Sequence, residues 1–417
     1  MNRKYAVISF VIMFASLAFA APLKLDDAYK AAIQKTEFGA ILDAQKKQLE
    51  AGIEKASAVL LSPISLKGGY TVQQAASSSG YSDAATLALN VTQPVYQGGQ
   101  LSTTLEDAKL QLKSKEFQNT ALRLTLYSSV AGSYYAVLAA EKDKINIEAV
   151  IEQTKGMITE LEKRRVIGKA KYSEVLMAQA QLADLESSLE GVRRSISNSR
   201  DDFAFLTGLP RDTELFDGEK TVVEAELKEL SFYIEAAAKR PDISALQADL
   251  EAARLETSFQ SAFGLPWIAL SGNYYPYRTG SSSGINWDAG LSLNFKLFDF
   301  GDTGASVKEA QYKEKEAELN LAKKKRQAES EVRSAYGILK SLVAQVKILE
   351  NAVEMNGKNY LEQKKDFEFS LVTNLEVLQA MNSLQNAKSG LDRSKLDLLL
   401  ARAKLLALSA LLPEGAK

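Results

Sequence analysis

A long internal repeat constrains this chain more than any other feature of its sequence. With an offset of 202 residues, the second half matches the first without a gap for more than a hundred residues. Gly99 then coincides with Gly301, and Tyr134 coincides with Tyr336. Both copies should therefore fold as the same unit, with the same elements in the same order.

Each copy begins with a predicted pair of strands. Pro63 and Pro266 each precede a strand, because proline is tolerated at the first residue of a strand but not inside it. Apolar and polar residues alternate along these strands, which gives each strand one apolar and one polar face. The predicted strands cover 64–74, 85–96, 267–277 and 287–298, and Ser/Gly-rich turns fill 75–83 and 278–286.

A very long helix follows each strand pair, directly after Gly99 or Gly301. Apolar residues such as Val332, Leu339 and Val346 recur at alternating spacings of three and four. This spacing is typical of the seam of a left-handed coiled coil, whereas a plain amphipathic surface helix would need a wider apolar stripe. A helix of about 67 residues is on the order of 100 Å long, which is too long for the core of a compact domain.

The segments predicted from these signals follow one another in a simple order. They are a signal peptide (1–20), an N-terminal periplasmic helix (21–62), β-hairpin 1 (63–97), helical hairpin 1 (98–210), a linker with equatorial helices (211–265), β-hairpin 2 (266–300), helical hairpin 2 (301–413) and a tail (414–417). The helical hairpins should turn at the breaks 167–173 and 368–374. Arg240, Pro241 and Asp242 are interpreted as a helix start, with proline at the first helical position and an acid in the first turn.

The N-terminus has the pattern of an export signal. Arg3 and Lys4 precede an apolar run that ends at Phe19, and small residues flank the predicted cleavage site after Ala20. The run is shorter than the ~20 residues that a membrane-spanning helix needs. No later window holds 18 consecutive apolar residues, so we expect a periplasmic, secreted or β-barrel protein.

Composition argues against several classes of function. The chain has 51 basic and 52 acidic residues, and this balance argues against nucleic acid as a partner. It has no histidine and no cysteine, which removes the commonest metal ligands, nucleophiles and general bases. We therefore expect neither an enzyme nor a protein that carries a cofactor or a metal.

The four strands raise the question of how they are covered. Their strong alternation suits a barrel wall in lipid, and the competing interpretation is a half-buried sheet packed on helices. Polar residues such as Asn90 and Asn294 on one face, and tyrosines near the strand ends, favour the barrel. Four strands cannot close a barrel, and an open edge cannot lie in lipid, so several chains should share one barrel. Two chains give eight strands and a filled interior, whereas three give twelve and leave room for a pore.

Four motifs in order within the repeat carry a resemblance to a known family. They are the strand–glycine–helix joints "QPVYQGGQ" (93–100) and "FKLFDFGD" (295–302), the "RPD" at 240–242, the "LTGLP" at 206–210 and the hairpin break "RRVIGKAKYSEVLMAQ" (164–179). Over essentially the whole mature chain the sequence resembles the TolC family of outer membrane efflux and secretion channels. The resemblance implies an α+β membrane protein that forms a homotrimer, with a 12-strand barrel in outer membrane lipid and a 12-helix tunnel in the periplasm. It also implies docking of the tunnel tip to a periplasmic adaptor and an inner membrane transporter.

The competing function is that of a rod-like periplasmic adaptor or structural interaction protein. Such an adaptor would carry a single helical hairpin between split β-rich domains. This chain has two helical hairpins, each with its own alternating strand pair, and this favours the channel.

The resemblance places the closable end of the tunnel at the two helical breaks. Glu376 matches a carboxylate ring of the family, Gln379 stands where a second ring has aspartate, and Glu174 is the counterpart in the first copy. Thr373 and Glu376 also have the spacing of a capping box, so Glu376 has a structural and a channel interpretation. Both remain open at this point.

The residues that hold the tip closed in the family are replaced in this chain. Phe367 and Val372 stand at the positions of a tethering tyrosine and arginine. Neither side chain can make the same polar bonds, so we expect closure to depend on hydrophobic packing.

Overall fold

A computed structural model describes residues 22–74, 81–218, 227–280, 283–369 and 371–412. The predicted signal peptide, the predicted tail and parts of both strand turns lie outside these residues. The described residues form a four-stranded sheet and eight α-helices. Among these helices, none combines the length and the apolar character that crossing a bilayer would require.

The sheet joins the two predicted hairpins into one antiparallel layer. Its strands are β1 (Ile64–Gln74), β2 (Tyr81–Gln97), β3 (Trp267–Arg278) and β4 (Trp287–Asn294). Their order in space is β1-β2-β3-β4, so β2 pairs with β3, and β1 and β4 are the two edges. The prediction that the fourth strand reaches Phe298 was wrong. It ends at Asn294, because Asn294 pairs with Trp267, the first residue of its neighbour β3.

The two faces of the sheet differ as the alternation predicts. On one face, Leu89 lies between Leu66 and Tyr274 of the neighbouring strands, and all three side chains are exposed. On the other face, polar side chains form a hydrogen-bonded row across the strands. Its members are Ser65, Asn90, Asn273 and Asp288, with donor–acceptor distances of 3.4, 2.8 and 2.8 Å in that order. One face is therefore suited to lipid and the opposite face to water.

The helical hairpins repeat with the offset predicted from the sequence. They consist of α3 (Gln100–Val166) with α4 (Tyr172–Thr207), and α7 (Asp302–Glu368) with α8 (Asn374–Leu408). The long helices α3 and α7 have 67 residues each, which confirms that neither copy contains an insertion along them. Both hairpins turn within the predicted breaks.

The helical segment at the N-terminus is divided in two. The single helix predicted within 21–62 consists of α1 (Leu25–Lys35) and α2 (Glu37–Ala58), because Thr36 between them has extended backbone angles. The hydroxyl of Thr36 accepts a hydrogen bond from the Phe38 N–H and so caps the second of these helices. Between the copies lie α5 (Leu230–Ala237) and α6 (Pro241–Ser261), and α6 is followed by a short 3₁₀ turn (Ala262–Gly264).

The elements form a single-layered wall with the same lateral order at every level. In the hairpins the order is α4-α3-α8-α7, and nearer the sheet it is α2-α3-α6-α7. The strands that continue these helices follow as β1-β2-β3-β4. One edge of the wall is therefore formed by β1, α2 and α4, and the opposite edge by β4 and α7.

The largest buried clusters lie at the middle of the wall, near the ends of α4 and α8. In one cluster, α1 packs on α3 and α4 beside buried residues of α8, and the hydroxyl of the buried Tyr134 lies 2.9 Å from the carbonyl of Leu23 and 2.8 Å from that of Phe216. In the other, α5 packs on α7 and α8. Below them, Arg393 of α8 forms an ion pair with Asp143 of α3 at 2.6 Å and joins the two hairpins.

Candidate functional site

The tips of the two hairpins pack against each other. The tip of hairpin 1 has a small core of Leu161, Val175 and Ala178. Phe367, in the last turn of α7, packs on this core from hairpin 2 and is half-buried. The side chain of Phe367 therefore makes the apolar contact that the sequence predicts.

A polar bond also joins the tips, in addition to the apolar contact of Phe367. The guanidinium of Arg164, in the last turn of α3, lies 4.2 Å from the centre of the Phe367 ring, and its Nη1 donates a hydrogen bond of 3.0 Å to the Phe367 carbonyl. Glu160 holds the same guanidinium from one turn earlier, at 3.1 Å. The acceptor is a main-chain oxygen, so no side-chain motif at position 367 could have revealed this link.

A buried polar side chain without a partner lies at the start of α8. Asn374, the first residue of α8, is only 1% exposed, and neither its amide nitrogen nor its amide oxygen has a hydrogen-bond partner among the described residues. Leaving such a group buried costs about 1–3 kcal/mol. The described part of hairpin 2 therefore carries both the stabilising link at Phe367 and, at the start of α8, a buried amide that costs stability.

Glu376 has the predicted capping geometry. Its carboxylate accepts hydrogen bonds from the N–H and the hydroxyl of Thr373, at 2.6 and 2.9 Å, as half of a capping box at the start of α8. The backbone bond, followed by the hydroxyl bond, lowers the pKa of Glu376 below its usual value. Glu376 and Gln379 are both exposed, whereas Glu174 is half-buried in the first turn of α4 and Val372 is half-buried in the turn of hairpin 2.

The strand–helix joints require glycine for its backbone conformation. Gly99 and Gly301 cap α3 and α7, and each has a φ of +90°, in the left-handed region that favours glycine. A Cβ at Gly301 would meet nothing within 4 Å, so conformation and not crowding selects the glycine. Asp299, which the sequence prediction missed, caps α7 by accepting from the N–H groups of Gly301 and Thr303 at 3.1 and 2.9 Å.

The "RPD" motif begins a helix, as predicted, and also forms a half-buried ionic cluster. Arg240 makes two parallel hydrogen bonds to Asp242, at 3.0 and 2.6 Å, and a third to Glu331 of α7 at 2.6 Å. Lys324 of α7 approaches Asp242 at 3.0 Å. Burial raises the pKa of Asp242, but the hydrogen bonds from Arg240 and Lys324 outweigh it and hold that pKa below its usual value. The motif therefore fixes the start of α6, which Pro241 opens, onto α7.

The repeat, the joints and the paired tips together agree with one family. The model of the outer membrane efflux protein family matches residues 40–209 and 232–410, and thus covers both copies. The chain belongs to the outer membrane efflux protein family. This confirms the resemblance and, with it, an efflux or secretion channel of the outer membrane; the family is one of channels, not of enzymes.

Individual members of the outer membrane efflux protein family are similar at low identity. The outer membrane protein TolC of Vibrio cholerae is 23% identical over 379 residues, which cover 87% of this chain and 85% of that protein. The alkaline protease secretion protein AprF of Pseudomonas aeruginosa is 26% identical over 185 residues, 43% of this chain and 38% of that protein. The crystal structure of the outer membrane protein VceC of Vibrio cholerae, 21% identical, matches with a TM-score of 0.81 and covers 92% of this chain and 96% of that one.

Proposed function

We propose that three copies of this chain form one continuous conduit, with a 12-strand barrel in the outer membrane and a 12-helix tunnel in the periplasm. The observation that carries the proposal is the lateral order of the wall. β1, α2 and α4 form one free edge and β4 and α7 the other, so the same two edges can meet at every level of a ring. Unpaired strand edges are not tolerated in lipid, and closure of the ring removes them.

Three copies suit this wall better than two. Eight strands give a barrel whose interior side chains fill, whereas twelve leave space for a channel. The hydrogen-bonded polar row on one sheet face would then line that channel, and the exposed leucines of the other face, including Leu293, would contact lipid. A polar lumen behind an apolar outer band is the usual arrangement in such barrels.

The paired tips form the closable end of the conduit in this proposal. The link from Arg164 to Phe367 keeps the two hairpins of a copy together, and the unsatisfied Asn374 opposes that arrangement. Three copies of Glu376 would carry negative charge around the mouth in addition to capping their helices. A periplasmic adaptor and an inner membrane transporter dock at this end and supply the energy for export.

The cargo belongs to the class handled by efflux and type I secretion systems. AprF is named for the secretion of an alkaline protease, which suits a conduit wide enough for an unfolded polypeptide. A periplasmic adaptor would be surrounded by water and would not need a sheet with one exposed apolar face. The sheet therefore favours the channel over the adaptor.

Fractionation and bilayer recording together test the proposed function. The protein should remain in the outer membrane fraction until detergent releases a particle of three chains, and that particle should conduct ions when it is inserted into a planar bilayer. A soluble periplasmic monomer, or a membrane particle that never conducts, would contradict the proposal.

A further inference from the structure

One face of α3 is covered within the chain by the end of α8. Ala407 and Leu408, in the last turn of α8, close a small cavity against Ala121, Thr125 and Ser128 of α3. Leu124 of α3 lines the same cavity. Ala407 is only 5% exposed and belongs to the buried cluster that contains Tyr127 of α3. This is the contact through which the end of hairpin 2 packs on hairpin 1.

The repeat places an equivalent but uncovered face on α7. The offset of 202 residues carries the lining residues of α3 onto Lys323, Arg326, Gln327 and Ser330 of α7, and all four are exposed. The same offset carries Ala407 onto Phe205, in the last turn of α4. Phe205 is 84% exposed, although its neighbour Phe203 is fully buried in the core of its own hairpin.

The two uncovered surfaces lie on opposite edges of the wall. Phe205 is on the edge formed by β1, α2 and α4, whereas the face of α7 is on the other edge. At the level of Phe205, α3 and α8 lie between α4 and α7, so a single chain does not bring these two surfaces together. They can meet only between two copies of the chain.

We propose that Phe205 of one copy packs on the α7 face of the next copy, against Arg326 and Ser330. This inference rests on the proposed trimer and identifies the contact that closes it at the level where α4 and α8 end. Within one copy, Ala407 packs on α3. Phe205 would make the equivalent contact on α7 of the next copy. Both sides carry larger side chains than the internal contact does, and the flexible stems of Lys323 and Arg326 can place their charged groups over the face of the Phe205 ring.

The other residues on this edge of α4 do not compete for that role. The counterparts of the buried Leu399 and Ala403 are Ser197 and Asp201, and both are bound by Arg211 of the same chain, at 3.0 and 2.9 Å. Phe205 is therefore the large apolar side chain that remains available at this end of α4.

The absence of cysteine from the chain makes a cross-linking test direct. A Phe205→Cys/Ser330→Cys double variant, treated in outer membranes with a short thiol-reactive cross-linker, should give covalent dimers and trimers on a denaturing gel. Either single variant should give none. A matched Ala407→Cys/Ser128→Cys variant places the same pair at the internal contact, so it should form a link within one chain and remain a monomer on the gel.

The outcomes separate this inference from the proposed function. A detergent-released trimer that does not cross-link through positions 205 and 330 would overturn the inference and leave the trimer intact, whereas a monomer would overturn both. A second measurement avoids dependence on cysteine geometry. Phe205→Asp should raise the monomer fraction in detergent by about tenfold or more, and Phe205→Leu should restore the trimer. Equal behaviour of these two variants would also contradict the contact.

Discussion

Replacing Arg164 by alanine should open the tip of the channel. The substitution removes the hydrogen bond of 3.0 Å to the Phe367 carbonyl and the stacking of the guanidinium on the Phe367 ring at 4.2 Å. A hydrogen bond from a charged donor contributes about 1.5–3 kcal/mol, and a partly buried cation–π contact contributes about 0.5–2 kcal/mol. Opening exposes both partners to water, which offsets part of this sum, so we take about 2 kcal/mol for each copy.

A change of about 2 kcal/mol corresponds to a shift on the order of thirtyfold in the closed–open equilibrium of each copy. Single-channel recording in planar bilayers measures this shift as the fraction of time spent open. Phe367→Ser should also increase openings, but by less, because the carbonyl of residue 367 still accepts the hydrogen bond. Asn374→Leu should act in the opposite direction, since it removes the unsatisfied buried amide and favours the packed arrangement.

Arg165→Ala is the matched control for the Arg164 prediction. It removes the same charge from the neighbouring position, but the Arg165 guanidinium lies 5.0 Å from the ring of Tyr172, within hairpin 1. It should therefore leave the open fraction nearly unchanged. Equal effects of Arg164→Ala and Arg165→Ala would refute the link and would attribute gating to the total charge of the tip.

Three further predictions concern the sheet, the strand–helix joints and the mouth of the tunnel. Leu293→Lys should reduce the amount of outer membrane trimer, at a cost of about 2–4 kcal/mol per chain near the bilayer centre, whereas Asn294→Lys on the opposite face should be tolerated; equal losses would refute the assigned facing. Gly301→Ala should lower the free energy of unfolding of the purified protein by about 1–2 kcal/mol, because residue 301 has a left-handed φ that alanine disfavours. Gly304→Ala, which has the same open space but lies inside α7, should be neutral or stabilising by up to about 1 kcal/mol, and similar melting of the two variants would contradict the conformational argument. Glu376→Gln should reduce cation selectivity in bilayer recordings with little change in trimer stability, and unchanged selectivity would leave Glu376 as a helix cap alone.

The repeat and its spacing predicted the long helices well. Apolar residues at spacings of three and four, followed from Gly99 or Gly301 to the next break, determine where α3 and α7 begin and end. These signals are local and continuous along the chain, so the sequence contains them directly.

Other features could not be predicted from the sequence because they depend on which elements meet. The end of β4 at Asn294 follows from where its neighbour β3 begins, and no local signal marks it. The link from Arg164 uses the main-chain oxygen of Phe367, 203 residues away. Every residue has such an oxygen, so the residue types at these two positions do not indicate the link. The break at Thr36 has a weak local signal, a residue type that favours helix caps, within an otherwise helical stretch.

Electron cryomicroscopy of the detergent-extracted particle would show directly whether three copies form one conduit, because it counts the copies and traces the wall. We expect a threefold ring in which β4 of each copy pairs with β1 of the next and α7 lies beside the neighbouring α4, around one continuous lumen. A particle with any other number of copies, or with either strand edge left unpaired, would contradict it.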